Sequence, residues 1–206
     1  MTERLDALMS LVERADVIAD VGCDHGLIAK RCADTGIAKR VIASDISEKC
    51  LEKARRNARG SDNIEFICAD GLKYECDEAV IAGMGGLLIC KILGEASCKP
   101  KTLVLCPHRD ADSVRKAVID MGYTVDSDRM IKERGKFYSI MRARLCETRQ
   151  ALSELQLHFG VYCDEKDDTL REYLSRLYNT YMRAPTSNGE KLRLVKAALT
   201  AQGVAL

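Results

Sequence analysis

Through roughly the first two-thirds of the chain, short apolar runs alternate with helical stretches, and several runs stop at an aspartate or a glycine. Strands are predicted over 17–21, 40–44, 64–68, 78–81 and 101–106, with helices over 25–34, 48–59, 87–94 and 110–121. Strands reached through helical crossovers can only lie parallel, so both faces of their sheet must be covered. Two more strands, 123–131 and 136–144, flank the turn Glu133-Arg134-Gly135 and predict a β-hairpin that adds an antiparallel edge. An opening helix over 2–14 sets Leu5, Leu8, Met9 and Val12 on one face. After residue 146 only helical periodicity remains. Leu170, Leu174, Leu177, Tyr178 and Tyr181 share one face, the segment 184–189 breaks it, and Leu192, Val195 and Leu199 form a second stripe. The expected fold is therefore α/β: a doubly wound, mostly parallel, seven-stranded Rossmann-like sheet over 1–146, then an antiparallel helical hairpin over 147–206.

A length of 206 residues at 47% hydrophobic content suffices for one full core with a small appendage. The formal charge of +1 gives no global attraction to phosphate or to acidic membranes, so a nucleic-acid site has to be a local patch. Ten cysteines stand singly, with no C-x-x-C pair and only three histidines, which predicts reduced core residues and no metal site. The start Met-Thr-Glu-Arg carries no export signature and no run of eighteen apolar residues exists, so a cytoplasmic protein without a membrane partner is expected.

In open α/β sheets ligands bind at the carboxyl ends of the strands, near the switch in strand order. Asp20, Gly22, Cys23 and Asp24 follow the first such end, Asp45 and Ile46 the second, Asp70 and Gly71 the third, and Gly83 the fourth. Asp45 is placed to accept hydrogen bonds from ribose hydroxyls, and Asp70 to receive the exocyclic amine of an adenine. A dinucleotide site needs G-x-G-x-x-G, whereas the loop reads Gly22-Cys23-Asp24-His25-Gly26-Leu27, with a carboxylate where pyrophosphate must approach. S-adenosyl-L-methionine has no phosphate and carries a sulfonium cation, so aspartates at these positions suit it.

The motifs Asp20-Val21-Gly22-Cys23-Asp24-His25, Ala43-Ser44-Asp45-Ile46, Ala69-Asp70-Gly71-Leu72 and Leu105-Cys106-Pro107-His108 resemble the bacterial tRNA methyltransferases that modify N1 of adenine at position 22. Ile81-Ala82-Gly83-Met84-Gly85-Gly86 is the most specific of the matching segments, and Glu133 to Tyr138 extends the likeness. The resemblance implies a class I methyltransferase domain, S-adenosyl-L-methionine as donor, tRNA as substrate, and a C-terminal coiled-coil-like hairpin that helps grip it.

Methylation at N1 leaves the adenine ring cationic, and a nearby carboxylate stabilises that charge as it develops. Asp24 is the candidate, able to accept from the N6 amine, with His25 positioning the base; the same aspartate could instead cap the helix over 25–34. Met84, Gly85, Gly86, Pro107 and His108 stand where a target base would enter. Between 129 and 149 seven cations, Arg134 and Lys136 among them, face two glutamates, which makes this the best local patch for phosphate. A small-molecule methyltransferase, or a non-catalytic S-adenosyl-L-methionine- or RNA-binding protein, would share the cofactor residues.

Overall fold

The computed structural model describes residues 2–205. Its elements, in chain order, are α1 (Glu3–Met9), β1 (Ala15–Val21), α2 (Leu27–Asp34), β2 (Ala38–Asp45), α3 (Glu48–Asn57), β3 (Ile64–Cys68), β4 (Glu78–Ala82), α4 (Gly86–Gly94), β5 (Thr102–Cys106), α5 (Ala111–Asp120), β6 (Tyr123–Glu133), β7 (Lys136–Leu145), α6 (Glu154–Phe159), α7 (Asp168–Tyr181) and α8 (Gly189–Ala201). The seven strands run β3-β2-β1-β4-β5-β7-β6, with the first five parallel and the last two antiparallel. Strand order therefore reverses between β1 and β4, and a crevice opens there at their carboxyl ends.

The central strands read as continuous apolar runs because both faces of the sheet are covered. Ala19, Val21, Ile81 and Leu105 face one core with α4 and α5, while Ile18, Val41, Val80 and Val104 face the other with α1, α2 and α3. The opening helix is shorter than its apolar stripe suggests: it ends at Met9, and Leu11 and Val12 are buried from the turn that follows. Four cysteines, Cys23, Cys32, Cys106 and Cys163, are buried as expected of small core residues, but Cys68 and Cys146 are exposed.

The segment after β7 holds more than a hairpin. α6 precedes it, and α7 and α8 pack around Leu174, Val195 and Leu199, with Met130 of β6 against the same cluster. The join is made by charge. Arg115 of α5 and Asp128 of β6 form a buried ion pair, Nε to Oδ2 at 2.7 Å and Nη2 to Oδ1 at 3.1 Å. Arg115 Nη1 also donates to the Leu157 carbonyl, and Asp128 accepts from the Val161 N–H at 3.0 Å. Both charges are thus satisfied only when α6 and the turn behind it close over them.

At the opposite, amino end of the parallel strands, Glu78 is buried and accepts weakly from the Glu13 N–H. Burial pushes its carboxyl up to about 7, with the Glu13 N–H pulling the other way. Arg142 and Arg144 bridge Asp126 and Glu13 beside it.

Candidate active site at the carboxyl ends of β1 and β4

At the end of β1 the chain leaves the sheet at Gly22, where φ is +72° and a Cβ would stand 2.6 Å from Met84 Cε. Only glycine permits both the left-handed turn and the approach of the β4 loop. The N–H groups of Gly22 and Cys23 both donate to the Ser44 carbonyl at 2.8 Å, which pins the loop to the end of β2. Asp24 follows with φ +45°, and its N–H donates to Asp45 Oδ2 at 3.1 Å while Asp45 Oδ1 accepts from Ser47 N–H at 2.9 Å. Asp45 is thus a brace beneath the loop, holding the strained residue in place.

Asp24 does not cap α2. Gly26 takes the N-cap position, and the carboxylate that meets the open helix amides comes from within β1: Asp20 Oδ2 accepts from Ala29 N–H at 3.0 Å. Asp20 is 3% exposed. Burial pushes its carboxyl up to about 7, the Ala29 N–H opposes this, and the neighbouring charge of Asp45 adds to it. Freed from capping, Asp24 leaves its carboxylate more than half exposed, with His25 Nε2 3.5 Å from Oδ2.

A cavity of about 370 Å³ lies at this point, lined by Asp20, Cys23, Asp24, His25, Gly83 and His108 with Gly22 at its base. α1 closes one side of it through Arg4, Leu5 and Leu8. Arg4 donates from Nη1 to His108 Nε2 at 3.2 Å, lies 4.8 Å over the Tyr138 ring, and takes Glu133 Oε1 on its own backbone N–H at 3.1 Å. Burial, then the charges of Arg4 and Lys136, push His108 below the ordinary histidine range, so it is a neutral acceptor or donor at neutral pH.

Residues 1–141 match the family model described as a methyltransferase domain. The chain belongs to the methyltransferase-domain family. This methyltransferase is 28% identical over 171 residues to the tRNA (adenine(22)-N(1))-methyltransferase of Bacillus subtilis, covering 78% of its own length and 72% of that protein. A Mycoplasma pneumoniae protein named as a candidate tRNA methyltransferase is 27% identical over 192 residues and covered to 89% in both directions. Among solved structures, a candidate tRNA (m1A22) methyltransferase of Streptococcus pneumoniae, in complex with S-adenosyl-L-methionine, superposes with TM-score 0.89 at 25% identity over 97% of this chain and 99% of that one.

The remaining expected site residues of the methyltransferase distribute along the same sheet end. Ile46 is exposed after β2, Asp70 is exposed after β3 without a hydrogen-bond partner among the described residues, and Gly71 lies against Ile92. None of these three lines the cavity that holds Asp20 and Asp24. Met84 is half-buried against Gly22, and Gly85 sits beside Arg109. Gly86 is buried, donates to the Arg109 carbonyl at 3.0 Å, and a Cβ there would come within 2.7 Å of that oxygen; packing of α4 on the β5–α5 loop accounts for this glycine. Pro107 and His108 face a second cavity, and His108 lines both.

The basic patch is smaller than its sequence. Arg142 and Arg144 are spent on Asp126 and Glu13, Lys132 pairs with Glu172 at 2.7 Å, Arg149 with Asp120 at 2.6 Å, and Arg129 donates to the Ala7 carbonyl. Arg134 and Lys136 stay exposed at the hairpin tip, Arg134 in the left-handed region with φ +49°. Arg4 is the residue that the sequence did not disclose. Its helix carries no motif, and only the packing of α1 across the sheet end brings it to His108.

Proposed function

We propose that this chain transfers a methyl group from S-adenosyl-L-methionine to N1 of adenine at position 22 of tRNA, in the cytoplasm. The observation that carries the reading is the cavity at the switch point, where the buried Asp20 and the exposed, left-handed Asp24 face one space. The names borne by the relatives supply the substrate.

The cavity fits the donor chemically. Asp20 lines it and accepts one hydrogen bond among the described residues, so a buried carboxylate is available to an ammonium group. Asp45, at the end of β2 and outside the lining of this cavity, presents a carboxylate to ribose hydroxyls while bracing Asp24. Gly22 and Gly83 let backbone come close to a ligand. When bound, S-adenosyl-L-methionine supplies an electrophilic methyl on a sulfonium, so the protein has mainly to align acceptor and donor and exclude water. Asp24 accepts from the N6 amine of the target and stabilises positive charge on the ring, with His25 orienting that carboxylate. Met84 and His108 border the path of the base, Gly85, Gly86 and Pro107 shape the wall, and Ile46, Asp70 and Gly71, outside the cavity itself, are assigned to the adenosyl group by their position after β2 and β3.

A base in tRNA must leave its stack before N1 is reachable. Arg134 and Lys136 hold the backbone for this, together with residues 147–206 acting as the RNA-contacting appendage. The test is methyl incorporation into an unmodified tRNA transcript with adenine at position 22 against the same transcript carrying guanine there. Label is expected in the first only; equal label in both overturns the position, and label in neither overturns the reaction.

A further inference from the structure

The second cavity, about 300 Å³, lies between the hairpin, the β5–α5 loop and the helices α7 and α8. That size is at the lower end of those that hold a small ligand. Its walls are aromatic: Tyr173 stands against Phe137 with ring centroids 5.3 Å apart, and Tyr181 faces the same space. Neither tyrosine hydroxyl has a hydrogen-bond partner among the described residues, although Tyr173 is largely enclosed by its neighbours. Lys191 stands 6.0 Å from the Tyr181 ring and has no carboxylate partner among the described residues. Arg109, whose nearest acid Asp110 is 3.5 Å away, closes the mouth. Asp112 supplies a carboxylate without a hydrogen-bonded partner among the described residues. Flat faces, free hydroxyls, a carboxylate for amine donors and exposed cations at the rim are the requirements of a nucleotide: ring, base edge and phosphate. The acids in the lining disfavour an acidic peptide or a lipid headgroup. His108 forms part of both cavities, so an occupant here sits next to an occupant of the first.

We propose that the Phe137–Tyr173–Tyr181–Lys191 cavity binds a second unstacked nucleotide of the same RNA, adjacent to the target adenine, and that it is a specificity subsite for the reaction. This inference rests on the tRNA reading above. The base stacks on the tyrosines, its exocyclic amine donates to Asp112, and its phosphate meets Lys191 and Arg109.

The full-length protein and the adenine-22 transcript test it. Lys191 is exposed, so Lys191→Glu leaves the fold intact, and Lys53→Glu, on an exposed position of α3 outside residues 147–206, serves as control. Stacking and charge loss at such a site predict about a tenfold rise in KM for the transcript with Lys191→Glu, unchanged kcat and unchanged donor affinity, and no change with Lys53→Glu. An equal effect of both substitutions, or none of either, overturns the subsite while methylation by the unaltered protein still supports the general reading. Ultraviolet cross-linking of the transcript to the unaltered protein is expected to label Tyr173 or Tyr181; cross-links confined to other residues overturn the inference. Absence of methylation by the unaltered protein overturns both readings together.

Discussion

Asp20 serves two ends from one carboxylate: it holds the first turn of α2 and it lines the cavity. Its proton is retained in the fold up to about 7 but lost near 3.8 when the chain is open, and Glu78 behaves alike, from 4.5 to about 7. Between those values the folded state binds protons that the unfolded state does not, so the stability these groups lend is complete below their ordinary range and fades as pH rises through their folded values. Urea midpoints of the ligand-free protein should fall from about pH 5 to about pH 8, and Asp20→Asn with Glu78→Gln should flatten that slope. A wild-type midpoint that does not fall over this range would contradict the burial argument. The loop residues separate differently. Asp45→Ala removes both the proposed ribose acceptor and the brace on Asp24 N–H, so calorimetry should find weaker donor binding; Asp24→Ala should leave binding within about twofold and lower kcat by about 10²-fold. Loss of binding in both would make Asp24 a structural residue.

At the scale of elements, the alternation of strand and helix was legible because each central strand is a continuous apolar run with a turn residue at its end, and period and punctuation are local properties. The hairpin was legible for the same reason, down to its turn at Arg134-Gly135. What local pattern could not carry was pairing across the chain. Glu13 meets Arg142 and Arg144 from 129 and 131 residues away, which is why an apparent patch of seven cations shrinks to its tip. Arg4 at His108 and Arg115 at Asp128 were invisible for the same reason, since each needs the fold to place its partner. The buried pair allows a sharp expectation. Arg115→Met leaves Asp128 charged and dry and should cost about 3–5 kcal/mol in urea unfolding, whereas Arg115→Met with Asp128→Leu should regain most of it. Equal losses for single and double variants would mean that the pair is not what joins α5 to β6.

Across the whole molecule charge is near neutral and many cations are paired internally; of the exposed ones, Arg109, Arg134, Lys136 and Lys191 lie at the mouths of the cavities or the hairpin tip. With about three or four phosphates neutralised, the logarithm of tRNA affinity should fall with the logarithm of salt at a slope of about −3. Filter binding over a potassium chloride series measures it, and a slope steeper than about −6 would mean that internal pairs open to engage the backbone. On the proposed reading, the placement of a few charges and not their number governs recognition. The closure of α6 over Arg115 and Asp128 reaches further. A chain severed after residue 146 would keep its strands but present a charged socket to water, and the detached helices would lose Met130 of β6 from the cluster around Phe159. Arg115 and Asp128 therefore tie the two sides of residue 146 together, and a substitution at either one is felt in both.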